Sequence, residues 1–144
     1  MFSKSCKYAI RAVLYLALNS DENKKIGVEE IAKQIDVPRH FLAKTLQLLT
    51  KRNIISSIKG PNGGFYLNKK NRKSNLYEVI EIVDGNDAFI SCVLGVKECS
   101  NSNPCPYHHL VIANRNKLER TLKNETIEQT AKKIKKNNYS IEGV

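Results

Sequence analysis

The sequence predicts a mainly α fold with a small β-hairpin: a winged helix-turn-helix followed by a long C-terminal helix. Three observations carry that expectation. Apolar residues recur at helical spacing in successive segments of the chain. One stretch, IISSIKGPNGGFYL, breaks the pattern with β-branched residues, a Gly-Pro-Asn-Gly-Gly turn and then Phe65, Tyr66 and Leu67, which is a hairpin signal. The charge is also unevenly placed. Val37 to Lys73 holds nine Lys or Arg and no acid, whereas Ser74 to Glu98 holds five acids and one lysine. With a formal charge of +10 over 144 residues, this localised positive field suits a polyanionic partner, nucleic acid or an anionic membrane. The length suits one compact domain, or a small one with an appended element.

The elements follow in order. Tyr8, Ala9, Ala12, Val13, Leu16 and Ala17 form the apolar stripe of a first helix. Lys4, Lys7 and Arg11 before AVLYLAL mimic a signal peptide, but the run is short, Arg11 abuts it and no A-x-A-like site follows. No segment has the ~18 apolar residues a membrane span needs, so the chain reads as cytoplasmic, without a membrane partner. After the polar SDENKK, VEEIAKQI puts Val28, Ile31, Ala32 and Ile35 on one face, with Gly27 as cap and Glu29 and Glu30 in the first turn. Asp36 and Val37 end this helix, and Pro38 opens the next. In RHFLAKTLQLLTKRN, Phe41, Leu42, Thr45, Leu46, Leu48 and Leu49 are expected inside, and Arg39, His40, Lys44, Gln47 and Lys51 outside. Two short helices joined by a tight turn, the second basic near its start, suit a recognition helix for the major groove. The hairpin that follows would be a wing. Lys59 at its shoulder and the backbone amides near Gly63 and Gly64 are candidates for phosphate contact, while Arg39, His40, Lys44 and Gln47 are candidates for base edges.

Beyond the wing, Leu76, Val79, Ile80 and Val83 make a core helix ended by Asp84 and Gly85. From Pro106 a longer stripe of Leu110, Val111, Asn114, Leu118 and Leu122 has little left to pack on except a partner, which makes Leu110, Val111, Leu118 and Leu122 the expected homodimer interface. Thr126 and Gln129 suggest a capping box opening a last basic stretch with a frayed end. The chain thus divides into a DNA-binding unit (1–85), a cysteine-bearing loop (86–105), and a dimerisation helix with a basic tail (106–144).

The loop CVLGVKECSNSNPCPYHH contains three of the four cysteines, spaced C-x6-C-x5-C, with two histidines beyond. Its Gly, Ser, Asn and Pro content offers little apolar material to order it. A disulfide would leave a spare thiol and is rare in a reducing compartment. A catalytic Cys-His pair lacks an orienting acid and an oxyanion hole. Zinc and iron-sulfur fit the spacing equally well. Cys105 before Pro106 is expected to cap the long helix, with His108 and His109 both able to turn back toward it. Cys6 reads as a small buried residue.

The run VEEIAKQIDVPRHFLAKTLQLLTKRNIISSIKGPNGGFYL resembles the winged-helix signature of the Rrf-two family of bacterial transcription regulators. SCKYAIRAVLYLA resembles that family's first helix, and LYEVIEIVDG the segment after its wing, so the likeness covers about residues 1 to 125. It implies a homodimer on a near-palindromic double-stranded DNA operator, often as a repressor. It also implies a cluster on Cys92, Cys99 and Cys105, with His108 as fourth ligand because the histidine-ligated members have C-x2-H. The cofactor expected is therefore 2Fe-2S, with 4Fe-4S, zinc or none as alternatives and Cys6 of the partner as another fourth ligand. This chain departs from the family in having six rather than five residues between Cys92 and Cys99, Ala43 where an acid is common, and Lys59 where an arginine is common. An iron-sulfur electron carrier is the rival of a different class, but it leaves the basic helix and wing unexplained.

Overall fold

The computed structural model describes residues 1–95 and 99–141. Helix α1 (Lys4–Asn19) starts where the Ser3 side chain accepts from the Cys6 amide, and it buries Ala9, Ala12, Val13 and Leu16. Its start is tied to a distant helix, because the Ser3 amide donates to Asp84 Oδ2 at 2.7 Å. Its end is tied by Arg72, whose guanidinium donates to the Ala17 and Ser20 carbonyls at 2.9 and 2.7 Å. A cation on orphan carbonyls is a favourable C-terminal partner. One of the nine clustered cations is thus structural.

Helices α2 (Val28–Gln34) and α3 (Arg39–Lys51) form the helix-turn-helix. Asp36, with φ +51°, occupies the left-handed region in the turn, a conformation that a short polar side chain tolerates. Strands β1 (Ser56–Ile58) and β2 (Gly64–Tyr66) pair antiparallel, Ser56 opposite Tyr66 and Ile58 opposite Gly64. Ile26 extends the pairing, exchanging both backbone hydrogen bonds with Phe65 at 2.9 and 2.8 Å. The base of this wing is fixed by Asn71, only 3% exposed, whose Oδ1 accepts from Ser56 Oγ and the Asn68 amide while Nδ2 donates to the Asn53 carbonyl.

Helix α4 (Leu76–Asp84) is capped by Asn75 and buries Leu76, Val79 and Ile80. A single turn, α5 (Asp87–Ile90), follows. Helix α6 (His108–Asn124) packs on α4. The last basic stretch forms α7 (Ile127–Asn137), which opens on the expected Thr126–Gln129 capping box and buries Ile127, Ala131 and Ile134 against α1; it stays helical to Asn137, where a frayed end was expected. One core therefore joins α1, α2, α3, α4 and α7. A smaller cluster of Cys6, Ile80, Ala88 and Phe89 lies beside it, with Tyr77 stacked on Phe89 at 5.3 Å. Among the described residues no helix is long and apolar enough to cross a membrane.

Candidate nucleic-acid interface and metal site

Helix α3 buries Leu42, Leu46 and Leu49, a stripe narrower than the sequence suggests. Phe41 is 53% exposed and Leu48 36% exposed, which corrects the expectation that both are inside. The reason is geometric. Residues i, i+4 and i+7 suffice to seat this helix on the core, so side chains flanking that line stay in solvent. The exposed face consequently carries Arg39, His40, Phe41, Lys44, Gln47 and Lys51. His40 and Phe41 lie ring to ring at 4.4 Å. Arg39 Nε donates to Glu29 Oε1 at 2.6 Å, and that hydrogen bond holds the Glu29 carboxyl below the usual carboxylate range. Arg39 is thereby drawn toward α2.

Between α3 and the wing runs a cleft of about 380 Å³ lined by Gln47, Thr50, Lys51, Ser57, Ile58, Lys59, Gly64 and Phe65, with two lysines and no acid. Lys59 and the tip at Gly60, Pro61 and Asn62 are exposed. The glycines have structural duties as well. A Cβ on Gly63 would lie 2.1 Å from the Ile58 carbonyl oxygen, and one on Gly64, whose φ is +146°, would lie 2.7 Å from that of Ile26. The Gly63 amide donates to the Gly60 carbonyl at 3.0 Å, closing the turn, so its hydrogen is already engaged.

In the loop, Cys92, Cys99 and Cys105 are all partly buried. Cys99 Sγ lies 3.4 Å from His108 Nδ1, and His108 Nε2 lies 2.8 Å from Asn101 Oδ1. His108 is 1% exposed, whereas His109 is exposed, their rings edge to face at 5.4 Å. Of the four expected ligands the structure thus brings two together. Among the described residues no three His, Cys, Asp or Glu side chains converge as a metal site. Helix α6 begins at His108, with Tyr107 as its cap at φ −102° and ψ 3°, not at Pro106. Cys105 therefore does not cap the helix; its carbonyl accepts from the His108 amide at 3.0 Å, in the turn before it. Cys6 is fully buried, and burial, followed by the charge and hydrogen bond of Asp84, pushes its thiol up to about 12. Such a thiol is a poor ligand at neutral pH.

The family model described as an iron-dependent transcriptional regulator, Rrf2, matches residues 2–133. The chain belongs to the Rrf2 family. A protein of Aquifex aeolicus assigned to the HTH-type transcriptional regulators is 42% identical over 111 residues, covering 76% of each chain. The regulator IscR of Klebsiella pneumoniae is 31% identical over 104 residues, which span 72% of this chain and 63% of that protein. Among solved structures, CymR, the global cysteine regulator of B. subtilis, superposes with a TM-score of 0.72 at 21% identity, covering 92% of this chain and 96% of that one, which shows a shared fold. The winged-helix architecture and the role as a DNA-binding transcription regulator follow from this membership.

In this Rrf2 protein the expected dimer face has two parts. Leu110 and Leu118 are 66% and 36% exposed. Val111 is half-buried, and Leu122 packs against both core clusters. Leu110, Val111 and Leu118 line a cavity of about 460 Å³ together with Ala88, Phe89, Cys92 and Val93. Ile90, Val93 and Leu94 add exposed apolar surface on the preceding segment. Sequence reasoning missed two residues: Phe41, assigned to the core by its spacing, and Asn101, which nothing distinguishes from the other polar residues of its loop.

Proposed function

We propose that this regulator acts as a homodimer on a near-palindromic duplex, and that a 2Fe-2S cluster held by Cys92, Cys99, Cys105 and His108 sets its operator affinity. The observation that carries the DNA-reading half is the acid-free cleft between α3 and the wing, where Gln47, Lys51 and Lys59 converge. His40, Phe41, Lys44 and Gln47 face base edges; Phe41 suits a thymine methyl. Lys59 and the exposed wing tip take the backbone. Leu110 and Leu118, with Val111, bury their surface against the second copy, which fixes the separation of the recognition helices near one DNA turn, about 34 Å.

The donor set supports the cluster in kind: three partly buried cysteines and one buried imidazole in one short segment, with Cys99 and His108 already adjacent. When bound, the cluster supplies an iron-sulfur centre that responds to oxidants, nitric oxide or cluster supply. The residues around it connect loop and helix. Arg115 on α6 donates to the Ser91 carbonyl at 2.6 Å, and His108 anchors the far end of the same loop. Ordering or releasing this segment shifts α6 relative to the winged unit, a two-state element that a chemical signal can bias. The competing reading is a clusterless or zinc-bound regulator of the same family. Anaerobic reconstitution of untagged protein, with iron, sulfide and zinc analysis and visible spectra, separates the two. Equal iron and sulfide with a visible absorption band is expected; uptake of zinc alone overturns the cluster. Selection of binding duplexes from a random pool is expected to return inverted repeats.

A further inference from the structure

His108 is the buried polar side chain nearest the cysteines, and both of its ring nitrogens have partners. A neutral imidazole has one donor and one acceptor nitrogen, and a carboxamide oxygen can only accept. With Asn101 Oδ1 at 2.8 Å from Nε2, the proton belongs on Nε2, and Nδ1 then turns its lone pair toward Cys99 Sγ at 3.4 Å. The reverse tautomer would set two acceptors against each other beside a ring that is 1% exposed, although Asn101 itself is exposed, and an unmet hydrogen bond on a buried ring is costly. We infer that Asn101 is a positioning residue: it fixes the Nε2–H tautomer of His108 so that the Nδ1 lone pair faces the thiol of Cys99.

The inference rests in part on the cluster reading: an unprotonated Nδ1 beside Cys99 Sγ leaves both atoms free to turn their lone pairs onto one shared metal centre. A hydrogen bond from the second ring nitrogen is the usual way a ligating histidine is oriented, and its loss commonly costs about 10- to 100-fold in metal affinity. Exposed His109 has no such partner among its described contacts, so the arrangement also selects between the two histidines that spacing alone leaves equal.

The test uses full-length protein with ¹⁵N-labelled histidine. In metal-free wild type, long-range proton–nitrogen spectra are expected to show His108 as the Nε2–H tautomer. Asn101→Ala should give a tautomer mixture, and Asn101→Asp, which keeps the acceptor, should restore the single form. A proton on Nδ1 in wild type, or an unchanged tautomer in Asn101→Ala, overturns the proposal. Circular dichroism of each variant verifies that α6 is intact. In cluster-loaded protein, Asn101→Ala should raise the reduction potential and speed cluster loss about 10- to 100-fold, while Asn101→Asp lowers the potential. Unchanged potentials overturn the role toward the cluster. Wild type that shows the tautomer yet takes up no iron overturns the cluster reading while upholding the positioning of His108 by Asn101.

Discussion

The winged unit and the cysteine loop are held by different means. In the winged unit every element is specified more than once: α3 by Leu42, Leu46 and Leu49 in the core, the wing by strand pairing, the Ile26 bridge and the Asn71 hub, and α1 by Ser3 at one end and Arg72 at the other. From Ser91 to Tyr107, none of the described residues belongs to a buried apolar cluster, and the segment is fastened by polar contacts from Arg115 and His108. The difference teaches that the DNA-reading geometry belongs to the fold, whereas the described residues of the loop are held by polar contacts that a ligand can replace or break. Low-stability segments are where switches are built.

The largest expected effect probes the join between the regions. Replacing Leu110 and Leu118 by Asp should give a folded monomer whose operator affinity falls by about 10²- to 10⁴-fold, because each half-site then binds alone. Sedimentation as a dimer would show that the interface lies elsewhere. Leu122 is left untouched in this test because it packs against both cores. Next in size is a contrast within one chain. Leu46→Ala should cost about 2–5 kcal/mol by denaturant unfolding, as for a fully buried leucine. His108→Ala should cost less, about 1–3 kcal/mol for its two ring contacts, since the core does not depend on it. Equal costs would mean that the loop is as integral as α3. Smaller still, Lys59→Ala should weaken binding to all duplexes alike and reduce the slope of log affinity against log salt by about 0.9, one phosphate contact.

The smallest effect concerns Cys6, whose thiol moves from 9.0 to about 12 in the folded protein. A raised acid favours the folded state while it stays neutral. Its contribution is therefore whole below about pH 9 and is lost as pH climbs toward 12. Wild type should lose stability more steeply than Cys6→Ala as pH rises above 9, measured by denaturant titration at each pH. Native alkylation near neutrality should modify Cys99 and Cys105 before Cys6.

The sequence displayed the winged unit well because its signals are periodic and repeated: helical stripes, a glycine-tipped turn and caps. Phe41 and Leu48 were misassigned because periodicity gives the width of an apolar stripe but not how much of it a core uses. One-turn α5 is too short for any period to register. Pro106 marks a helix start by its fixed φ, yet the Tyr107 turn delays α6 by two residues. For α7 the capping box at Thr126 and Gln129 gave the start, while the buried stripe of Ile127, Ala131 and Ile134, spaced four and three apart, was hidden by the surrounding lysines. Asn101 had no signal, because its role exists only through the orientation of His108.

The central claim, that the state of the loop sets what the winged unit binds, is tested most directly by one pair of affinities. One anaerobic preparation is divided into cluster-loaded and metal-free portions, and both are titrated against the same selected duplex at fixed salt by fluorescence anisotropy. The account predicts affinities differing by about 5- to 150-fold, the usual range of coupling between two sites. Coincident binding curves would contradict it.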